Sequence, residues 1–283
     1  MAEPVCYIRG EFVPFSEARI SPDDLGMLRG FAVYEGLTAF GGEPFHFHDH
    51  WMRLESSAKA LDLEIPLSEA EALAAMRRVV AKNVGKGRGT IRVILSGGEA
   101  DGGIEHVRGR EMFIIMAEPA VPLPEKWYER GAPIITYEHQ RFLPEYKTIN
   151  YITAVMLQPK RKAAEAVEIL FVSKGEVLEC GGSNIFIVKD GGVATPKENI
   201  LAGITRKVVI NLAGDATYPL EERRVSVEEL TTADEIFITS SFKDIVPIVK
   251  IDDRAEGGGA VGPVTKDLMR RFAAHVKSDS WRA

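Results

Sequence analysis

The apolar positions of this chain fall into short runs divided by glycine and proline turns, with a few longer stretches at helical spacing. Residues 5–8 and 12–13 predict two strands about a turn at Arg9-Gly10-Glu11, and Pro22-Asp23-Asp24 marks another turn. Residues 32–37 predict a strand, Gly41-Gly42 a hairpin, and 44–47 the continuation of that sheet. Between 48 and 61, Trp51, Leu54, Ala58 and Leu61 recur at helical spacing, so a helix with that stripe buried is expected. Arg53 points elsewhere on it. Ser68 and Glu71 form a capping box for a second helix running to about Asn83, before the glycine-rich Gly85-Lys86-Gly87-Arg88-Gly89. Strands follow at 90–95, which carries Arg92, and at 112–116, with a tight turn at Ser96-Gly97-Gly98.

Composition shifts at Glu118-Pro119-Ala120-Val121-Pro122-Leu123-Pro124, a proline-rich stretch that reads as a connection between domains. The expected organisation is a first domain at 1–118, a linker at 119–131 and a second domain at 132–283. In the second, strands are expected at 132–137, 167–172, 184–188 and 235–239, the last ending in Ser240-Ser241. Helices are expected at 149–166, 204–213 and 265–276, and Lys189-Asp190-Gly191-Gly192 closes a hairpin. Strands and helices in both parts make this a mixed α/β chain. Internal repeats are not found. Gly257-Gly258-Gly259 lacks the strand–turn–helix context of a dinucleotide site.

The 283 residues are 45% hydrophobic and 27% charged, the proportions of a soluble globular protein. A net charge of −6 argues against a nucleic-acid surface. Cys6 and Cys180 make no disulfide framework, and Cys180 beside Glu179 reads as a small packed residue rather than a reactive thiol. The first five residues lack the basic flank and apolar run of a secretory signal, and no apolar run approaches the roughly 20 residues a membrane helix needs. A cytoplasmic enzyme without membrane attachment is the expectation.

The chemistry centres on Glu179-Cys180-Gly181-Gly182-Ser183-Asn184-Ile185-Phe186. An acid and two glycines lie where one strand-like run passes to the next, and glycine lets backbone approach a flat ligand closely. Taken by itself the stretch reads equally well as a polar hairpin. Its context includes Ala194-Thr195-Pro196, then Gly203-Ile204-Thr205-Arg206 downstream, and Lys147-Thr148-Ile149-Asn150-Tyr151 upstream. With these pieces, from residues 28–35 to Ser240-Ser241, the chain resembles the class IV family of pyridoxal 5′-phosphate (PLP) aminotransferases. The resemblance implies a two-domain fold type IV enzyme. Its small N-terminal α/β domain is followed by a larger C-terminal domain of β-barrel-like form with helices. It implies a homodimer or a larger assembly.

The resemblance makes Lys147 the catalytic lysine, which holds the cofactor covalently and moves the proton. Glu179 becomes the partner of the pyridine nitrogen, and Tyr151 the partner of the phenolic oxygen. Asn184, of the family's Asn-hydrophobic-aromatic step, joins the cofactor-binding set. Arg53 matches the phosphate arginine. Ile204 and Thr205, at a helix start, and Ser240 and Ser241, at a strand end, complete the phosphate cup. Arg29 and Arg92 are the candidates for substrate carboxylates; Arg92, inside an apolar strand, calls for a buried anion partner. Thr38 and Thr90 stand where branched-chain enzymes carry an arginine and a tyrosine, and Gly30-Phe31-Ala32 replaces the usual Gly-Asp-Gly. Leu28-Arg29-Gly30 with Ile91-Arg92 is more similar to a variant D-amino-acid transaminase subgroup. The expected reaction moves an amino group between an amino acid, D-configured by preference, and a 2-oxo acid such as 2-oxoglutarate. L-branched-chain transamination, aminodeoxychorismate lyase chemistry and a non-enzymatic PLP-binding protein are the alternatives. His46, His48 and His50 alternate, but the chain turns from strand to helix there, and no metal is expected.

Overall fold

A computed structural model describes residues 3–255 and 259–282. Met1 and Ala2, at the segment read for a leader, and Gly257 and Gly258, in the glycine run, lie outside the described residues. The chain forms two compact units. The first runs to Val121 and regains Tyr146–Asn150 and the end of the chain from Ser280; the second holds Pro122–Glu145 and Tyr151–Asp279. The proline-rich stretch thus contains one crossing, and Lys147 belongs to the first unit rather than to the 132–283 segment.

The first unit contains β1 (Val5–Ile8), β2 (Glu11–Pro14), α1 (Leu25–Arg29), β3 (Ala32–Phe40), β4 (Glu43–Pro44), α2 (Phe47–Ala60), α3 (Glu69–Asn83), β5 (Gly89–Ser96) and β6 (Met112–Pro119). Its sheet has the order β2-β1-β6-β5-β3-β4, and every pairing is antiparallel. Alternation sends Val33, Leu37, Ile91, Val93 and Ile115 to one face, where they meet Trp51, Leu54 and Ala58 of α2 and Met76 and Val79 of α3. Leu54 is fully enclosed, so its replacement by alanine costs about 2–5 kcal/mol. The capping box at Ser68 and Glu71 forms as the sequence predicts. Tyr34 and Arg92 take the other face by the same alternation.

The second unit contains α4 (Glu125–Arg130), β7 (Ala132–Glu138), α5 (Ile152–Met156), α6 (Gln158–Ala163), β8 (Glu168–Ser173), β9 (Glu176–Cys180), β10 (Asn184–Lys189), β11 (Gly192–Thr195), α7 (Ile204–Asp215), β12 (Leu220–Glu222), β13 (Val225–Ser226), α8 (Val227–Thr231), β14 (Glu235–Ser240), β15 (Asp244–Ile251), β16 (Arg254–Ala255) and α9 (Pro263–Ser278). Its sheet runs β12-β11-β10-β14-β15-β7-β8-β9-β13, with β16 on β15, and curls into a half-barrel. Ile185, Ile187, Ile236, Ile238, Val246 and Ile248 build its core. The helix expected over 149–166 is instead two short ones, α5 and α6. Pro159 lacks the N–H that would continue the ladder to Val155, so the helix breaks there. No helix among the described residues is long and apolar enough to cross a membrane.

Candidate active site

In the first unit β4 pairs only with Ala39 and Phe40, so the outer edge of β3 is open at its start. Residues 147–149 fill that edge. Tyr34 N–H donates to the Lys147 carbonyl at 2.9 Å, Ile149 N–H donates to the Ala32 carbonyl at 3.1 Å, and Thr148 bridges Val33. The Lys147 N–H donates to Ser57 Oγ at 3.1 Å. Its backbone is therefore fixed on both sides, by a strand edge and by α2. The Lys147 ammonium lies 3.1 Å from the Tyr34 hydroxyl and 4.3 Å from the centre of that ring.

Arg53 rises from α2 toward Glu35 of β3. Its Nε donates to Glu35 Oε1 at 2.7 Å and its Nη2 to Oε2 at 2.8 Å, a fork-to-fork pair. His50, one helical turn before Arg53, places Nδ1 2.7 Å from Glu35 Oε2. Burial alone would raise the Glu35 pKa, but the charge and hydrogen bonds of Arg53, helped by His50, hold it well below the usual carboxylate range. Burial pushes His50 the other way, below its ordinary value, against the pull of Glu35 and with the charges of Arg53 and Lys147 adding to the effect. His46 and His48 meet different acids, Asp49 at 3.1 Å and Glu69 at 2.8 Å, so the three histidines diverge. Among the described residues no cluster of His, Cys, Asp and Glu is placed to hold a metal.

Arg92 stands opposite Gly36 in register, on the face that carries Tyr34. The sequence asked for a buried partner; the guanidinium is half-exposed and pairs with Glu118 of β6 at 2.5 Å, also exposed. The reason is strand alternation: Ile91 and Val93 take the core face and leave Arg92 the outer one. Arg29, the last residue of α1, is exposed and donates to the Leu28 carbonyl at 3.0 Å. Asp24 caps that helix through the Met27 N–H and accepts the Ser96 hydroxyl.

In the second unit Glu179 lies next to the end of β9 and is buried. Its Oε1 accepts Arg141 Nε at 2.7 Å and its Oε2 accepts the Leu201 N–H at 3.0 Å. Arg141 is equally buried and also donates to the Pro144 carbonyl at 2.5 Å. Asn184 Nδ2 donates to the Leu201 carbonyl at 2.8 Å, and a Cβ on Gly203 would strike Asn184 Oδ1, so the chain needs glycine at that approach. Glu179, Asn184 and the start of α7 are thereby tied to one segment, 201–203.

Gly203 supplies α7 with no side-chain cap, and the first amides of a helix have no intrahelical acceptor. Ile204 and Thr205 are buried at this start. Arg206, of the same motif, turns away: it donates to the Pro196 carbonyl at 2.8 Å and to Thr195 Oγ1 at 3.3 Å. The Thr-Pro and Gly-Ile-Thr-Arg pieces are thus two ends of one buried contact. Ser240 ends β14, Ser241 follows in the turn, and both are half-buried. Tyr151 is the residue before α5 and accepts the Val155 N–H through its carbonyl.

Sequence reasoning weighed His50 only for a metal and did not single out Tyr34, Glu35 or Arg141. A glutamate inside the apolar strand 32–40 was the available signal, because a buried carboxylate requires cations. Arg141 carried no local signal, since its need arises from Glu179, 38 residues away.

Residues 32–251 match the family described as amino-transferase class IV, and the chain belongs to that family. It is 35% identical over 274 residues to a Methanocaldococcus jannaschii protein provisionally named a branched-chain-amino-acid aminotransferase, covering 94% of each chain. It is 30% identical over 281 residues to the D-alanine aminotransferase of Listeria monocytogenes, covering 95% of each. The T.th. branched-chain amino acid aminotransferase with pyridoxamine 5′-phosphate superposes with a TM-score of 0.90 at 29% identity, over 99% of this chain and 98% of that one. The chain is a transaminase, and its cofactor is PLP. Within the second unit alone, the buried Glu179 carboxylate, the uncapped amides of α7 and Thr239 Oγ1, which is buried without a partner among the described residues on β14 opposite Asn184, are polar groups of the kind such a cofactor takes.

Proposed function

We propose that this chain moves an amino group between a D-amino acid and a 2-oxo acid such as 2-oxoglutarate, with Arg92 and Arg29 receiving substrate carboxylates. The observation that carries the reading is the shared face of β3 and β5: Arg92 rises from the face that bears Tyr34, whose hydroxyl touches the Lys147 amine. Gly36, buried opposite Arg92 in register, adds no side chain to that face. Relatives of both the branched-chain and the D-alanine kind keep L-branched-chain substrates as the second reading.

Bound PLP supplies the electron sink that stabilises negative charge at the substrate Cα. Lys147 holds the cofactor and takes or returns the Cα proton at Nζ. The Tyr34 hydroxyl, at hydrogen-bonding distance from that nitrogen, orients it. Glu179, charged and braced by Arg141, keeps a proton on the pyridine nitrogen, and Tyr151 steadies the phenolic oxygen. Asn184 fixes the 201–203 segment, and Arg53, Ile204, Thr205, Ser240 and Ser241 bind the phosphate.

The protein works in the cytoplasm as a homodimer. Ile152, Val155 and Met156 of α5, spaced as one helix face, are 67%, 67% and 73% exposed, an apolar stripe that a second copy covers. A half-reaction screen tests the substrate reading. The PLP-loaded protein is mixed with single D- and L-amino acids without an acceptor, and 2-oxo acid release is followed. Faster release from D-alanine or D-glutamate than from any L-amino acid is expected. L-valine or L-leucine ahead of every D-amino acid overturns the D reading.

A further inference from the structure

A partly buried lysine of the second unit has no part in the chemistry described so far. Lys243 is the last residue of the turn between β14 and β15, two positions after Ser241. Its ammonium donates to Glu168 Oε1 at 2.7 Å and lies 3.5 Å from Ser183 Oγ, which itself donates to Glu168 Oε1 at 2.9 Å. Glu168 opens β8 and is only 8% exposed. Ser183 lies in the turn between β9 and β10, beside Asn184 and four residues after Glu179. The Lys243 backbone is held as well. Its N–H donates to the Ser240 carbonyl at 3.3 Å and to Ser240 Oγ at 3.2 Å, and its carbonyl accepts the Tyr128 hydroxyl at 3.1 Å.

The glycine turn closes on this ion pair. A Cβ at Gly182 would stand 3.3 Å from Glu168 Oε1 and 3.8 Å from Lys243 Nζ. The room that glycine provides at 182 is therefore taken by the chain's own carboxylate. A carboxylate so deeply placed needs its cation, because a buried charge left alone is strongly destabilising. The pair also joins two loops with separate cofactor groups, the 179–184 loop with Glu179 and Asn184, and the turn with Ser240 and Ser241. Ser240 Oγ already accepts the Lys243 N–H, so its own hydrogen remains to be donated to an anion.

We propose that Lys243 is a positioning residue for the cofactor phosphate: through Glu168 and Ser183 it ties the Ser240–Ser241 turn to the loop of Glu179 and Asn184. It rests on the PLP-binding reading of Ser240 and Ser241 given above. Lys243 acts through the turn, because its ammonium is engaged by Glu168 and Ser183.

The test compares two ligands that differ by the phosphate. Full-length wild type, Lys243→Met and Lys243→Arg, freed of cofactor, are titrated with PLP and with pyridoxal, and the absorbance of the bound ligand is followed. In Lys243→Met the PLP affinity should fall about tenfold, the loss of one charge-assisted hydrogen bond, while pyridoxal affinity stays within about twofold. Lys243→Arg should regain most of the PLP affinity. If Lys243→Met does not fold, the Glu168→Gln/Lys243→Met double variant removes both charges and should show the same phosphate-selective loss. Unchanged PLP affinity in the folded variant, or equal losses for both ligands, overturns the positioning role. A wild type that binds neither ligand overturns the PLP reading itself, which separates the two failures.

Discussion

Arg53 grips Glu35 with two parallel hydrogen bonds, from Nε at 2.7 Å and from Nη2 at 2.8 Å. A guanidinium on a helix is thereby locked to a carboxylate on the strand beneath it, so the arginine is oriented before any ligand arrives. This pre-ordering lowers the entropy lost on binding an anion. Arg53→Ala should therefore weaken PLP retention more than it changes substrate choice. One charge-assisted contact is worth about 1.5–3 kcal/mol, or roughly 10- to 150-fold in affinity. Exhaustive dialysis that leaves the variant as fully loaded as the wild type would contradict the phosphate role.

The same cluster gives stability a pH dependence of known sign. The folded-state pKa of His50 lies below its ordinary value of about 6.5, so the unfolded chain takes up this proton first as pH falls. The contribution is fully present above about pH 6.5 and declines as pH drops toward the folded-state value. Glu35, also depressed, adds a further loss below about pH 4.5. The His50 limb has a slope of up to about 1.4 kcal/mol per pH unit. His139 and His275 are lowered by burial too, so the His50 share is read by difference. His50→Gln, which removes the titration, should flatten the melting-temperature profile between pH 6.5 and 5. An unchanged profile would place the acid sensitivity elsewhere.

Glu179 and Arg141 form the second charged pair that matters. Glu179→Gln should keep the cofactor but slow proton abstraction, because the pyridine nitrogen loses its counter-ion. Arg141→Met leaves Glu179 buried without its cation and should destabilise the folded state by about 3–5 kcal/mol, seen as a lower melting temperature, besides slowing the reaction. A half-reaction rate unaltered in Glu179→Gln would give that acid another role.

Arg92→Leu addresses substrate choice. Loss of a charge-assisted bond of roughly 2 kcal/mol should raise KM for D-glutamate or 2-oxoglutarate about thirtyfold, with a smaller effect on a monocarboxylate donor. Equal losses for every substrate would mean that Arg92 serves through Glu118 to hold β5 to β6.

Much of this was legible because it is local. Of the stripe expected at Trp51, Leu54, Ala58 and Leu61, the first three are buried on α2 while Leu61 caps its end half-buried, and the capping box at Ser68 and Glu71 forms as its spacing requires. The family followed from Glu179–Phe186 and its companion motifs for the same reason. The contacts that orient the candidate groups were not legible, because they join residues far apart in sequence: Lys147 to Tyr34, Arg141 to Glu179, Lys243 to Glu168. The return of 146–150 to the first sheet depended on how little of β3 the short β4 covers, which no periodicity reports. The helix expected over 149–166 is two because Pro159 breaks the hydrogen-bond ladder between α5 and α6.

The most direct measurement locates the covalent bond. The PLP-loaded protein is reduced with borohydride and digested, and the peptide bearing the phosphopyridoxyl mass is sequenced by mass spectrometry. The expected result is one group per chain, on Lys147, in the segment that β3 and Ser57 hold in place. Modification at another lysine, or none at all, would contradict the assignment of Lys147 on which the rest of the site depends.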